Sequence, residues 1–255
     1  MPPYEIYALK YAGPFTGSGA LMMWLKDWDV VTERAYYIWC LKSPDHVVIV
    51  DSGVAPDTAR EKNLAGYVNP IDLLTEIGVR AEDVGHLVLT HLHWDHANGV
   101  AQFPNAKIYV QKDEYRFWTA NPLAKRPVIK QHADDAAYAY LASAEASGRL
   151  ILLDGDQGIL PGVSCLSAPG HTIGLQAVAA DTAKGRAVLG SDCAHTFVNY
   201  AQEWPSALIF DLPAWITSFD KLKKHVSDPA LLFPGHDILM SRNFPQVAEN
   251  VTRLV

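Results

Sequence analysis

Residues 90–99 read Thr-His-Leu-His-Trp-Asp-His-Ala-Asn-Gly, so three histidines and one aspartate, His91, His93, Asp95 and His96, fall within six positions. Imidazole nitrogens and a carboxylate this close together form the donor set of a first-row metal site. The preceding run, His86-Leu87-Val88-Leu89-Thr90, is short, apolar and partly β-branched, as a buried strand would be. Asn98-Gly99 supplies a turn signal just after the cluster. The cluster is therefore expected where a strand ends and a loop turns towards a helix. In an extended backbone, residues two apart share a face. On that basis His91, His93 and Asp95 converge from one side while His96 leaves in another direction, and one loop can serve two metal ions.

Three later turns are similar in kind: Ala168-Pro169-Gly170-His171-Thr172, Gly190-Ser191-Asp192-Cys193 and Phe233-Pro234-Gly235-His236-Asp237. Each comes after an expected strand and places a His or Asp just past its end, where α/β scaffolds collect functional groups. The Pro-Gly pairs before His171 and His236 allow a sharp backbone turn beside a crowded site.

The elements needed to position these turns can be read along the chain. Tyr36 to Leu41 and Val47 to Val50 form an expected β-hairpin ending at Asp51-Ser52-Gly53, and Pro70 opens a short helix over 71–77. Lys107 to Gln111 is a strand. Ala-rich residues 133–147 form a helix that stops at Gly148. Strands are expected next at 150–153, 163–167, 175–180 and 186–189, with a turn over 181–185. Residues 213–226 form a helix with Trp215, Phe219 and Leu222 on one face. Residues 231–233 are a last strand, and the stretch from Pro245 is expected to be helical. Strands and helices mix in both halves, with no repeat or low-complexity linker. One domain over 1–255, with two β-layers flanked by helices, is the simplest architecture.

Bulk composition narrows the function. The chain has 255 residues, 49% of them hydrophobic, enough for a large core. Its net charge is −7 and no dense basic run occurs. The nearest, Lys221 to Lys224, reads as a solvated helix face. Nucleic acid is thus excluded as the main partner, because phosphate binding needs clustered Lys and Arg. The N-terminus does not read as a signal peptide, and no apolar run approaches the ~20 residues that span a bilayer. Cys40, Cys165 and Cys193 are few, odd in number and far apart, which fits a reducing compartment, and the cytoplasm is the expected location.

Together, Asp51-Ser52-Gly53, His91-x-His93-x-Asp95-His96, His171, Asp192 and His236, in that order, resemble the metallo-β-lactamase superfamily of hydrolases. The resemblance covers most of the chain. It implies an α/β fold, the αββα sandwich of two mixed β-sheets flanked by helices, with a dinuclear site at one edge. By the family pattern His91, His93 and His171 hold one metal, Asp95, His96 and His236 hold the second, and Asp192 bridges them. Asp51 props the metal loops. Two Zn2+ ions are the expected cofactors, with other divalent metals as substitutes. Two carboxylates against about four positive charges leave the centre able to polarise an acyl oxygen and receive a leaving alkoxide.

Details of the pattern select among branches. The flavodiiron branch usually carries Glu where this chain has His93, so zinc hydrolysis is favoured over iron redox chemistry. Cys193 is one step off the bridging position and reads as a small buried thiol. The same ligand set occurs in N-acyl homoserine lactonases, glyoxalase II thioesterases and several phosphodiesterases. The wording of residues 90–99, the Pro-Gly-His-Asp stretch and the overall length look most like the N-acyl homoserine lactonase branch. The implied reaction is quorum-quenching hydrolysis of a lactone ring by a metal-bridging hydroxide, with Asp95, or water held by it, passing the proton to the ring oxygen. A thioesterase, another cyclic ester or amide hydrolase, a phosphodiesterase and a non-catalytic metalloprotein remain as alternatives. One departure stands out: those lactonases commonly carry Tyr three residues after the bridging Asp, where this chain has His195. That histidine either donates a hydrogen bond to substrate, marks a different substrate, or packs behind the site.

The pocket itself is less legible. Met22, Met23, Trp24 and Trp28 lie in a segment whose Gly and Ser give mobility and whose Met and Trp give adaptable apolar surface, so they are candidate substrate-pocket walls as well as ordinary core. Phe117, Trp118 and Trp204 are further wall candidates. His46, His86, His132 and His225 fall outside every motif and read as surface or core residues. The expected partner is a small lactone or acyl substrate, with a homodimer as an open oligomeric state.

Overall fold

The computed structural model describes residues 3–255. Among the described residues thirteen strands occur: β1 (Glu5–Ser18), β2 (Val31–Lys42), β3 (Val47–Val50), β4 (His86–Val88), β5 (Lys107–Gln111), β6 (Leu150–Leu153), β7 (Gln157–Leu160), β8 (Val163–Ser167), β9 (Gln176–Thr182), β10 (Gly185–Ser191), β11 (Leu232–Pro234), β12 (Gln246–Ala248) and β13 (Val251–Arg253). They form an eight-stranded sheet ordered β12-β13-β1-β2-β3-β4-β5-β6 and a five-stranded sheet ordered β11-β10-β9-β8-β7. Both are mixed: β3, β4, β5 and β6 run parallel, as do β10 and β11, while the other pairs are antiparallel.

Each sheet is buried on both faces, which explains its nearly unbroken apolar sequence. Along β2, Tyr37, Trp39 and Leu41 point into the layer between the sheets, where they meet Cys165, Val178 and Leu189. The alternate residues Ile38 and Cys40 point outward onto Leu74, Phe103 and Leu141 under the helices of the first half. On the far side, Ala177, Ala179 and Val188 of the smaller sheet pack on Trp215, Phe219 and Leu222 of the helix Leu212–His225. The result is the four-layer αββα order. Trp39, Tyr11, Phe103 and Phe233 are among the largest side chains fully removed from water, and each stabilises the fold by roughly 1.5–3 kcal/mol through burial alone.

Helix ends follow local chemistry. Asp134 caps the helix Asp135–Ala146 through Ala137 N, and Asp211 caps Leu212–His225 through Ala214 N. The C-terminal stretch corrects the expectation of helix from Pro245. It is a β-hairpin, β12 to β13, turning at Asn250 with φ +60. Asparagine tolerates that left-handed conformation. Val251 and Leu254 gain burial by lying beside β1, a long-range option that local propensity does not register. The 14-residue β1 is invisible to periodicity, because consecutive residues 6–9 are all buried and show no alternation. No helix among the described residues is long and apolar enough to cross a membrane.

Candidate metal centre

Four strand ends converge at one edge of the sandwich. β4 leads into His91 and His93, β8 into His171, β10 into Asp192, and β11 into His236. The backbone is strained where it turns: Asp51 after β3 has φ +62 and Ser191 at the end of β10 has φ +46. Gly170 has φ +143, which a side chain would resist, and a Cβ there would also meet Trp215 Cα at 2.5 Å. Gly235 is needed for a different reason, since a Cβ would run into Asp192 Oδ1.

The donor atoms form overlapping groups in which all members lie within 4.8 Å of one another: His91, His93 and His171; His91, His96 and Asp192; Asp95, His96 and His236; and His171, Asp192 and His195. The expected turn towards a helix is present, but it begins before Asp95, so the period-two alignment of His91, His93 and Asp95 does not hold. Trp94–Ala97 is already a helical turn, so period two stops at His93. Asp95 swings towards His96, 3.6 Å from its Nε2, and towards His236, 3.8 Å from its Nε2. Asp192 sits between the groups, with Oδ1 3.0 Å from His236 Nε2 and 3.6 Å from His96 Nε2, and Oδ2 3.4 Å from His171 Nε2.

The other ring nitrogens are committed to the protein. His171 Nδ1 faces Leu208 O at 2.6 Å, and His236 Nδ1 faces Ala35 O at 3.1 Å. His96 Nδ1 faces Asp51 Oδ2 at 2.7 Å. Asp51 also accepts from Thr90 N and Thr90 Oγ1, whose hydroxyl neighbours His91 Nδ1. Such partners set which nitrogen is free to ligate. Behind the site, fully buried Glu114 accepts from Leu92 N, Trp118 Nε1 and Gly174 N. It thereby ties the His91–His93 loop to the loop after His171. No motif flags it, since a carboxylate in a helix usually faces water.

A metal fits this arrangement. His91 Nε2, His96 Nε2 and Asp192 Oδ1 are buried, point at one another and make no hydrogen bond, a costly state unless another atom meets them. The donor set is imidazole and carboxylate, suited to zinc and its first-row neighbours. Burial pushes His91 and His93 well below their ordinary value, and His171 down to about 3, so these three stand neutral. Burial would lower His96 too, but Asp95, Asp192 and Asp51 outweigh it and push it up to about 10. Burial would raise Asp192, yet His236, His195 and His96 hold it well below the usual carboxylate range.

A cavity of about 240 Å³ opens beside His93 and His171, walled by Phe117, Trp118, Ile129 and Phe210. His132, read from sequence as surface or core, is also in the wall, its ring 4.9 Å from that of His93. Met22, Met23, Trp24 and Trp28 are not among the lining residues. Met22 and Met23 are buried near Asn199, which donates to Met22 O, and Trp204 donates to Trp24 O. Trp28 is 68% exposed. Cys193 packs in the outer core, where burial pushes its thiol up to about 12, and it belongs to none of the donor groups.

The αββα sandwich with this histidine-carboxylate edge defines a class, and residues 28–236 match the metallo-beta-lactamase superfamily, to which the chain belongs. Among curated relatives, an N-acyl homoserine lactonase of a Bacillus species is 29% identical over 231 residues, 82% of this chain and 86% of the relative. The N-acyl homoserine lactonase AiiA of Bacillus thuringiensis subsp. kurstaki is 26% identical over 230 residues, with the same coverage of 82% and 86%. A solved N-acyl homoserine lactone hydrolase, with the product N-hexanoyl-L-homoserine at its catalytic metal centre, superposes with a TM-score of 0.75 at 22% identity, covering 96% of this chain and 98% of that one. AidC, a dizinc quorum-quenching lactonase, superposes with a TM-score of 0.73 at 20% identity, over 93% and 89% of the two chains.

Proposed function

We propose that this protein is a lactonase that hydrolyses N-acyl homoserine lactones or a closely related lactone, using two divalent ions with zinc as the first choice. The observation that carries this reading is the buried convergence of six ligand side chains in two groups around one carboxylate, Asp192. Curated relatives that share most of the chain's length and are named N-acyl homoserine lactonases support the choice of substrate.

In this reading His91, His93 and His171 hold one ion, Asp95, His96 and His236 the other, and Asp192 is shared. Bound there, the ions supply Lewis acidity towards the ester carbonyl and lower the pKa of water towards neutrality. The chain's own residues orient the reaction. Asp51 and the carbonyl oxygens of Leu208 and Ala35 fix the imidazoles so that little reorganisation is needed. The apolar cavity beside His93 receives the acyl chain and excludes water through Phe117, Trp118 and Phe210. Water adds to the lactone carbonyl, the acyl–oxygen bond breaks, and the ring oxygen leaves as the hydroxyl of an N-acyl homoserine. Asp95, at 14% side-chain exposure the most open carboxylate of the centre, carries the proton to that oxygen.

Turnover of short- and long-chain homoserine lactones, S-lactoylglutathione, a cephalosporin and a phosphodiester tests the assignment. The lactones should give the highest kcat/KM by at least ~10-fold, which corresponds to about 1.4 kcal/mol of transition-state discrimination. Turnover of the phosphodiester alone would overturn it.

A further inference from the structure

His195 stands three residues after Asp192, where the family resemblance leaves it as a donor to substrate, the mark of a different substrate or a packing residue. The structure turns it inward. Its backbone is clamped against the neighbouring ligand loop, since His236 N donates to His195 O at 2.8 Å and Gly235 N donates to Ala194 O at 3.0 Å. Its ring lies between those of two ligand candidates, 5.0 Å from His171 at 73° and 5.4 Å from His236 in a stacked arrangement. The side chain is 4% exposed. Its Nε2 is 3.2 Å from Asp192 Oδ2 and forms no hydrogen bond, joining His91 Nε2 and His96 Nε2 among the buried nitrogens without a protein partner.

These distances are those of ligands on a common ion. Two donors at about 2.0–2.2 Å from one zinc, subtending roughly 90–110°, stand about 3.0–3.5 Å apart. His195 Nε2 to Asp192 Oδ2 is 3.2 Å and His171 Nε2 to Asp192 Oδ2 is 3.4 Å. We propose that His195 is a metal ligand of this centre, sharing an ion with His171 and Asp192 Oδ2, rather than a donor to substrate. The added imidazole is neutral, so it leaves the charge of the centre unchanged while filling a position that water or substrate would otherwise take. It also favours metals that accept higher coordination and nitrogen-rich shells, such as cobalt and nickel. Substrate then meets the centre from the side of His93 and Asp95, whose exposure exceeds that of the other ligands.

The proposal rests on the metal-centre reading of this site, and the two fail separately. The native protein is loaded with cobalt(II), as are His195→Phe and His195→Gln. Each is characterised by metal content, chelator competition, visible absorption and thermal melting. His195→Phe should hold one of its ions at least ~10-fold more weakly, in line with or beyond the loss seen when a supporting group is removed. Its cobalt absorption should strengthen as coordination falls, and His195→Gln should restore part of the affinity. Hyperfine-shifted imidazole N–H signals should count six in the native protein, including that of His195, and five in His195→Phe. If the folded Phe variant keeps both ions with unchanged affinity and spectrum, His195 is no ligand although the centre stands. If the Phe variant does not fold, five native signals overturn the proposal and six support it. A native protein that takes up no ion removes both readings.

Discussion

The two halves of the centre both use buried imidazoles, yet His96 in one is held charged while the three histidines of the other are held neutral. The His91, His93 and His171 imidazoles face one another, His93 and His171 border the apolar cavity, and burial keeps all three neutral. Around Asp95, His96 and His236, barely one side chain away, three carboxylates surround His96 and drive it up to about 10 despite equal burial. Desolvation decides the first half and proximity of charge decides the second. A cation entering the three-histidine half would release no proton from those rings, whereas one entering beside His96 would displace its proton.

The strongest way to break this contrast is to remove the group common to both sides. Asp192→Ala should strip bound metal and lower turnover by at least ~100-fold, since losing a ligand exceeds losing the group behind one. Metal analysis beside kcat checks this, and a variant that kept two ions and full turnover would refute the shared-carboxylate arrangement.

Asp51→Asn should act unevenly. It removes the carboxylate facing His96 Nδ1 and should weaken the carboxylate-rich half by roughly 10–100-fold while affecting the three-histidine half less. Equal weakening of both ions in a competition titration would show that Asp51 acts through Thr90 and His91 instead.

The metal-free protein should show the contrast as a stability maximum near pH 6.5. His171 titrates near 3 when folded, against 6.5 otherwise, so its neutral burial is tolerated above 6.5 and stability falls as pH drops towards 3. His96 titrates near 10, so its contribution is complete below 6.5 and is lost as pH climbs through 10. Melting temperature against pH, measured after chelation, should therefore fall on both sides, and bound metal should flatten both slopes. A melting temperature that climbs steadily to pH 9 would contradict the His96 assignment.

The smallest effect is expected far from both halves. Trp28 is 68% exposed and absent from the cavity wall, so Trp28→Ala should change stability by no more than ~0.5 kcal/mol and leave kcat/KM for a hexanoyl lactone within twofold. A larger loss of kcat/KM would return this segment to the substrate pocket.

Much of the fold is legible because its signals are local. The parallel core strands show as short apolar runs, the helices over 135–146 and 212–225 carry an acidic cap at the expected end, and the Pro-Gly turns mark both later histidines. The C-terminal hairpin reads as helix instead because β13 exists by pairing with β1, more than 200 residues away in the chain, and β12 by pairing with β13. Asp95 reads as sharing a face with His91 and His93 because alternation in a strand cannot announce the residue where a helix begins. Glu114 and His132 carry no motif, and only packing brings one behind the metal loops and the other into the cavity.

The amino-acid sequence by itself determined the candidate donors, their order along the chain and the layered α/β architecture, because ligand chemistry and strand periodicity are properties of residue type and spacing. Tertiary structure alone decided which donors share a group, which imidazole is charged and where His195 points. Those depend on distances between segments up to about 145 positions apart, from His91 to His236, and on how much water packing leaves around each group.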